Sequence, residues 1–240
     1  MQVDILAIGA HPDDVELSCS GTLYNHKLLG QKIAICDLTQ GELGSRGTVE
    51  TRYAEAAKAN EILEVDHRVN LKMADGFFEN NQKNQIALIK VIRELKPNIV
   101  LSNAPKDRHP DHGRATRLVS EACFLSGLKK IDTQQEAWRP KRVFNYIQDF
   151  YLEPDFIVDI SQSFDKKMES IAAYGTQFFS KSDKDSTKTY ISSDKFVASI
   201  EARARLFGKR IGVAYGEGFL LNNSHLGLRN LDAVVLPSIA

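Results

Sequence analysis

The chain has 240 residues, 42% hydrophobic and 26% charged, with a formal net charge of zero. These values fit one soluble α/β domain and offer no basic surplus of the kind that draws proteins to nucleic acid or to an anionic membrane. Three scattered cysteines argue against a disulfide framework and for a reduced, cytoplasmic setting. No apolar run approaches the roughly 20 residues of a membrane helix, and the opening MQVDILAIGAHPDD lacks the basic start of a signal peptide.

Residues 3–8 are an apolar run that reads as a buried strand, and it leads straight into His11-Pro12-Asp13-Asp14. Residues 21–29 carry apolar positions at helical spacing and stop at Gly30. KIAICDL, residues 32–38, reads as the next strand. TQGELGSRGT, residues 39–48, holds three glycines and reads as a loop. Residues 49–63 are rich in alanine and glutamate, a helix by propensity. Residues 68–71 suggest a short strand. Residues 85–95 suggest a helix that ends at Lys96-Pro97, because proline disfavours helix in the residue before it. NIVLS, residues 98–102, is a further strand, followed by a polar loop at 104–112 and a helix at 114–126 closed by Gly127. Beyond these, residues 143–150 and 156–160 read as strands, 164–174 and 193–207 as helices, and AYGEGFLL at 214–221 as a last extended segment. SKSDKDSTKT, residues 180–189, is polar throughout and reads as a lid or as a loop against a neighbouring subunit.

Alternating strands and helices predict an α/β fold: a Rossmann-like, doubly wound, mostly parallel sheet with helices on both faces, a single domain over residues 1–240. Such sheets bind ligands at the carboxyl ends of their strands. The two densest polar clusters, AHPDD after the first strand and DRHPDH after the NIVLS strand, both fall at such ends. A lone HPDD is equally a turn that caps a helix; two clusters at two strand ends favour chemistry. His26, His67 and His225 have no such company and read as ordinary residues.

Together the clusters supply His11, Asp13, Asp14, His109, Asp111 and His112. Two histidines and a carboxylate make a catalytic zinc set with an open position. The same donors suit Fe(II). A carboxylate not spent on the metal serves as general base, and a histidine beside an aspartate is oriented for oxyanion stabilisation or proton delivery. The inventory matches metal-assisted hydrolysis; spacing alone leaves open which residue takes which role.

AHPDD, HPDH, the stretch TQGELGSRGTVETRYAEAAKANEIL and the late AYGEGF together resemble the PIG-L (LmbE-like) N-acetylglucosamine deacetylases, over nearly the whole chain. The resemblance implies Zn2+ held by His11, Asp14 and His112; because this donor set also suits Fe(II), Fe2+ is the alternative cellular metal. The resemblance also implies Asp13 as general base, His109 as oxyanion stabiliser and acid, and Asp111 as a residue orienting a histidine. Within the family the chain resembles the bacillithiol-pathway branch, which converts N-acetylglucosaminyl malate to glucosaminyl malate and acetate. Malate brings two carboxylates, so cationic contacts are expected, and Arg52, Arg108 and Arg142 are the candidates. The partners so implied are a small-molecule GlcNAc conjugate and further copies of the chain, up to a hexamer. The rival readings are a deacetylase of another GlcNAc compound such as diacetylchitobiose, a thiol-conjugate amidase, and a sugar-binding protein without turnover.

Overall fold

The structure is a computed structural model and describes residues 1–178, 187–222, 225–228 and 230. Its centre is one sheet of seven strands: β1 (Ile5–Gly9), β2 (Ile33–Thr39), β3 (His67–Met73), β4 (Ile99–Asn103), β5 (Arg142–Tyr146), β6 (Phe156–Asp159) and β7 (Gly216–Leu221). They lie in the order β3-β2-β1-β4-β5-β7-β6. The first five are parallel, as the βα alternation predicts. β7, the expected last extended segment, inserts antiparallel between β5 and β6. β1 and β2 are buried along their full length, which is why they read as unbroken apolar runs rather than alternating ones.

Eight helices flank the sheet among the described residues: α1 (Asp14–Ser18), α2 (Ser20–Leu28), α3 (Val49–Leu63), α4 (Gln82–Leu95), α5 (Pro110–Leu125), α6 (Phe164–Ala172), α7 (Gly175–Phe178) and α8 (Asp194–Ile211). On one face Leu6 and Ile8 of β1 pack with Leu88 and Ile92 of α4 and Leu118 and Val119 of α5. On the other, Ile5 and Ala7 pack with Val15 and Leu23. A further layer there joins Ala59 of α3, Ile171 of α6 and Phe196 of α8. The chain winds outward from β1 through β2 and β3, then restarts at β4 on β1's other side. The gap between the carboxyl ends of β1 and β4 is therefore the topological switch point, where doubly wound sheets place their ligands.

Local chemistry moves several boundaries. α4 begins at Gln82, earlier than its apolar pattern suggests, because Asn81 caps it by accepting the Asn84 N–H at 3.0 Å. The polar loop expected over 104–112 ends at His109. Pro110 occupies the first turn of α5, with its missing N–H and preset φ. The strand expected over 143–150 stops at Tyr146, since the Asp149 and Phe150 N–H groups donate to the Asp107 carboxylate at 3.2 and 2.8 Å instead of to a ladder. Of the polar stretch 180–189, residues 180–186 lie outside the described residues.

Candidate active site

β1 ends in a tight turn. A Cβ on Gly9 would stand 3.0 Å from the His11 carbonyl oxygen and 3.1 Å from Asp14 Cβ, so the close return of the chain favours glycine. Asp13 follows with φ 124°, ψ −22°. That region is rarely adopted by an L residue and costs on the order of 1–3 kcal/mol, a strain that concentrates at functional positions. Its effect is to divide two neighbouring carboxylates. Asp14 opens α1 and turns back, taking the His11 N–H on Oδ2 at 3.0 Å. Asp13 meets Arg52 Nη1 at 3.0 Å through its own Oδ2.

β4 delivers the second cluster across the switch point. His109 caps α5, its Nδ1 accepting the Asp111 N–H at 3.3 Å. A ring nitrogen that accepts carries no proton, so a neutral His109 holds its hydrogen on Nε2. Asp111 and His112 follow in the first turn of α5 and are buried. The rings of His11, His109 and His112 gather with centroids 4.6, 5.9 and 5.5 Å apart.

Each of two histidines is held from behind by carboxylate and faces Asp14 in front. His11 Nε2 lies 3.0 Å from Asp75 and 3.3 Å from Asp111, while its Nδ1 is 3.5 Å from Asp14 Oδ2. His112 Nδ1 lies 2.7 Å from Asp107, and its Nε2 is 3.2 Å from Asp14 Oδ1. This carboxylate–histidine pattern is the one that fixes the tautomer and aim of metal-binding imidazoles. Ligand atoms of His11, His109 and His112 fall within 4.8 Å of one another, as do those of His11, Asp75 and Asp111. The donors present thus fit a divalent cation; Asp14 belongs to neither of these groups, and of the family-implied trio it meets His11 and His112 through its two carboxylate oxygens, at 3.5 and 3.2 Å.

The electrostatics agree. Burial alone would lower both imidazoles, yet the carboxylates of Asp111, Asp14 and Asp75 around the ring raise His11 well above the usual value. The Asp14 charge and the bond to Asp107 lift His112 to about 9 in the same way. Burial works against the charge on Asp111, but bonds from His11 and the Gly76 N–H hold it near 2. Asp13 behaves oppositely: burial pushes it up to about 7, with Arg52 resisting and Asp14 assisting. His109 is lowered by burial and by the two neighbouring imidazoles. Surplus carboxylate around two imidazoles is the charge balance a divalent cation neutralises.

His11, Asp13, Asp14, His109 and His112 line one cleft together with Arg52 and Arg108, and Asp111 stands directly behind His11. The three candidate arginines separate. Arg52 is buried and commits Nη1 to the Pro12 carbonyl at 2.8 Å and to Asp13, so it sets the carboxylate rather than meeting a ligand alone. Arg108 stands at the rim, paired with Asp149 and packed over the Tyr190 ring at 4.8 Å. Arg142 is not brought to this cleft by its own chain: it begins β5, in register with Ile99 at the amino end of β4, while the cleft lies at the Asn103 end. Parallel pairing puts the length of a strand between them, and its guanidinium donates to the Lys141 carbonyl.

The structure also adds residues that motif reading misses. Asp75 follows β3 in the stretch ADG, an acid before a glycine at a third strand end, and that position was the available signal. Asn103 and Gln148 both donate to Asp14, at 3.1 and 2.8 Å. Arg203 of α8 lines the cleft and donates to the carbonyls of Gln148 and Leu17. Nothing in their local sequence distinguishes these last three.

A family model described as PIG-L, GlcNAc-PI de-N-acetylase, matches residues 6–123, which carry both strand-end clusters. The diacetylchitobiose deacetylase of Thermococcus kodakarensis is 27% identical over 186 residues, 72% of this chain and 70% of that protein. A probable N-acetyl-alpha-D-glucosaminyl L-malate deacetylase 2 of Bacillus subtilis is 23% identical over 194 residues, 74% of this chain and 84% of that protein. Among solved structures, a conserved protein of Thermus thermophilus is 36% identical with a TM-score of 0.86, the match covering 95% of this chain and 98% of that one. With both polar strand-end clusters inside the matched stretch and curated relatives that are deacetylases, the chain belongs to the PIG-L deacetylase family.

Proposed function

We propose that this protein hydrolyses the acetamide of N-acetylglucosaminyl malate, giving glucosaminyl malate and acetate. The observation that carries the chemistry is the division of Asp13 from Asp14. One carboxylate faces His11 and His112, where these three residues would hold Zn2+ or Fe2+; the other lines the same cleft outside that set. A divalent cation there supplies Lewis-acid polarisation of a carbonyl and a lowered pKa for water. Asp13 takes the proton of the attacking water, and Arg52 holds it in place to do so. His109 donates from Nε2 to the oxygen that gains charge as the carbonyl carbon becomes tetrahedral. The proton taken by Asp13 balances the one required by the departing nitrogen.

Malate as the aglycone is supported by the Bacillus relative's name and by Arg108 at the cleft rim. A second reading, diacetylchitobiose as substrate, is favoured by the Thermococcus relative. A free-amine assay on zinc-loaded protein compares GlcNAc-malate, diacetylchitobiose and free GlcNAc. Preference for GlcNAc-malate, abolished by Asp13→Ala, is the expected result. Turnover of diacetylchitobiose with none of GlcNAc-malate replaces the first reading by the second.

A further inference from the structure

We infer that Asn103 is a positioning residue that confines Asp14 to offering a divalent cation a single oxygen, Oδ1. The inference rests on the reading of His11, Asp14 and His112 as the metal set. A carboxylate has about four lone-pair positions, two on each oxygen. On Asp14, Oδ2 accepts the His11 backbone N–H at 3.0 Å and Asn103 Nδ2 at 3.1 Å, so both of its positions are filled. His11 Nδ1, at 3.5 Å, is too far from Oδ2 to compete for them. Oδ1 accepts Gln148 Nε2 at 2.8 Å and keeps its other position toward His112 Nε2 at 3.2 Å. The opening left on the carboxylate therefore faces the second histidine.

Asn103 is built to hold this arrangement. It is fully buried at the carboxyl end of β4. Its Oδ1 accepts the Ala10 N–H at 3.0 Å, so the amide presents its NH2 to Asp14 and cannot reverse without losing both bonds. Its own carbonyl is fixed by Thr116 Oγ1 at 2.8 Å and Asn145 Nδ2 at 2.7 Å. The choice of an amide is physical. A carboxylate at 103 would repel Asp14, and a cation would compete with the metal for its charge. A neutral donor fills the lone pair and leaves the charge intact. One-oxygen binding keeps more of the cation's coordination sphere open to water and carbonyl.

A crystal structure of the zinc-loaded wild-type protein tests this without any variant. The expected result is Asp14 Oδ1 at about 2.0–2.2 Å from zinc, with Oδ2 still on Asn103. Two Asp14 oxygens at bonding distance, or zinc bound without Asp14, overturn the proposal while leaving a metal-dependent enzyme. Absence of stoichiometric zinc by elemental analysis overturns the metal reading and the proposal together. A second test uses the Co2+-loaded protein, whose visible absorption weakens as coordination number rises. Asn103→Leu, close in shape and without donors, should weaken the bands and lower kcat roughly 10–100-fold with little change in KM, the scale of outer-shell effects. Gln148→Leu, which leaves Oδ2 filled, should leave the band intensity unchanged. Identical spectra for wild type and Asn103→Leu, or equal weakening in both variants, overturn the assignment.

Discussion

Residues 9–14 and 103–112 deliver the reactive groups of the cleft in two short strings, whereas the region from β5 onward delivers Gln148, Tyr190 and Arg203 one at a time from separate elements. The strings are rich in carboxylate and imidazole. The later residues are amide, phenol and guanidinium, and Arg203 acts on backbone carbonyls rather than on the cleft. Lys167 of α6 is buried, pairs with Glu217 of β7 at 2.7 Å, and donates to the carbonyls of Glu16 and Leu17 at the end of α1. Glu217 in turn accepts the N–H groups of Gly21 and Thr22 at 3.1 and 2.8 Å. Arg203 adds a bond to the Leu17 carbonyl at 3.0 Å. The short helix that carries Asp14 is thus fastened by side chains from the far half of the chain. The difference teaches that the first region holds the residues of the proposed chemistry and the second holds the first region still.

The sharpest break of that contrast lies in the first region. His112→Ala removes one imidazole of the proposed metal set and should abolish stoichiometric zinc and, with it, turnover. Asp13→Ala should keep zinc and lose kcat by about 10²–10⁴-fold, the range of general acid–base contributions. Elemental analysis beside the free-amine assay reads both. Zinc retained in full by the His112 variant would remove that residue from the metal set, and near-normal kcat in the Asp13 variant would remove the base.

The second region should answer differently. Lys167→Met leaves Glu217 buried without its cation, and breaking a buried pair from one side costs about 3–5 kcal/mol. For a chain of this size that lowers Tm by on the order of 10 °C. Calorimetry of zinc-free protein measures it, and zinc stoichiometry at low temperature should remain one. An unchanged Tm would mean that the far half does not fasten α1 in the way the contacts indicate.

The same contrast explains what was legible in the amino-acid sequence. β1 and β4 are short, largely apolar and followed closely by titratable residues, so strand, strand end and chemistry can be read within a short stretch of chain. His11, Asp13, Asp14, His109, Asp111 and His112 all come from such stretches, and the fold gathers them at one cleft, with Asp111 directly behind His11. Gln148 reaches Asp14 across 134 residues and Arg203 reaches Leu17 across 186. No local pattern encodes a partner at that distance, because only the completed packing of β5 and α8 decides it. Arg52 lies between these cases: its place in a motif is visible, but its commitment to Asp13 appears only once α3 docks beside the β1 turn.

A smaller effect should come from the support behind a histidine. Asp107 lies in the DRHPDH string yet acts on both regions. It holds His112 Nδ1 at 2.7 Å and also takes the Phe150 N–H at 2.8 Å from the segment after β5. Asp107→Asn keeps the shape and removes the charge. Zinc affinity, measured by chelator competition, should fall about 10–100-fold, with Tm nearly unchanged. A loss as complete as that of His112→Ala would make Asp107 a ligand itself.

The smallest effect should come from Arg142→Ala. The family resemblance makes this arginine a candidate because malate needs cations, yet the register of β5 on β4 places it at the opposite edge of the sheet from the cleft. Its side chain is exposed and donates to the neighbouring Lys141 carbonyl. Exposed substitutions of this kind shift stability by no more than about 0.5 kcal/mol. Because it does not line the cleft, both kcat and KM for GlcNAc-malate should also remain within about twofold of wild type, a ΔΔG‡ of no more than about 0.5 kcal/mol. Arg108→Ala in the same assay should raise KM for GlcNAc-malate more than for free GlcNAc, because Arg108 stands at the cleft rim beside Tyr190. A raised KM in Arg142→Ala would require residue 142 to reach a cleft other than its own chain's, and would make a neighbouring copy part of the active site.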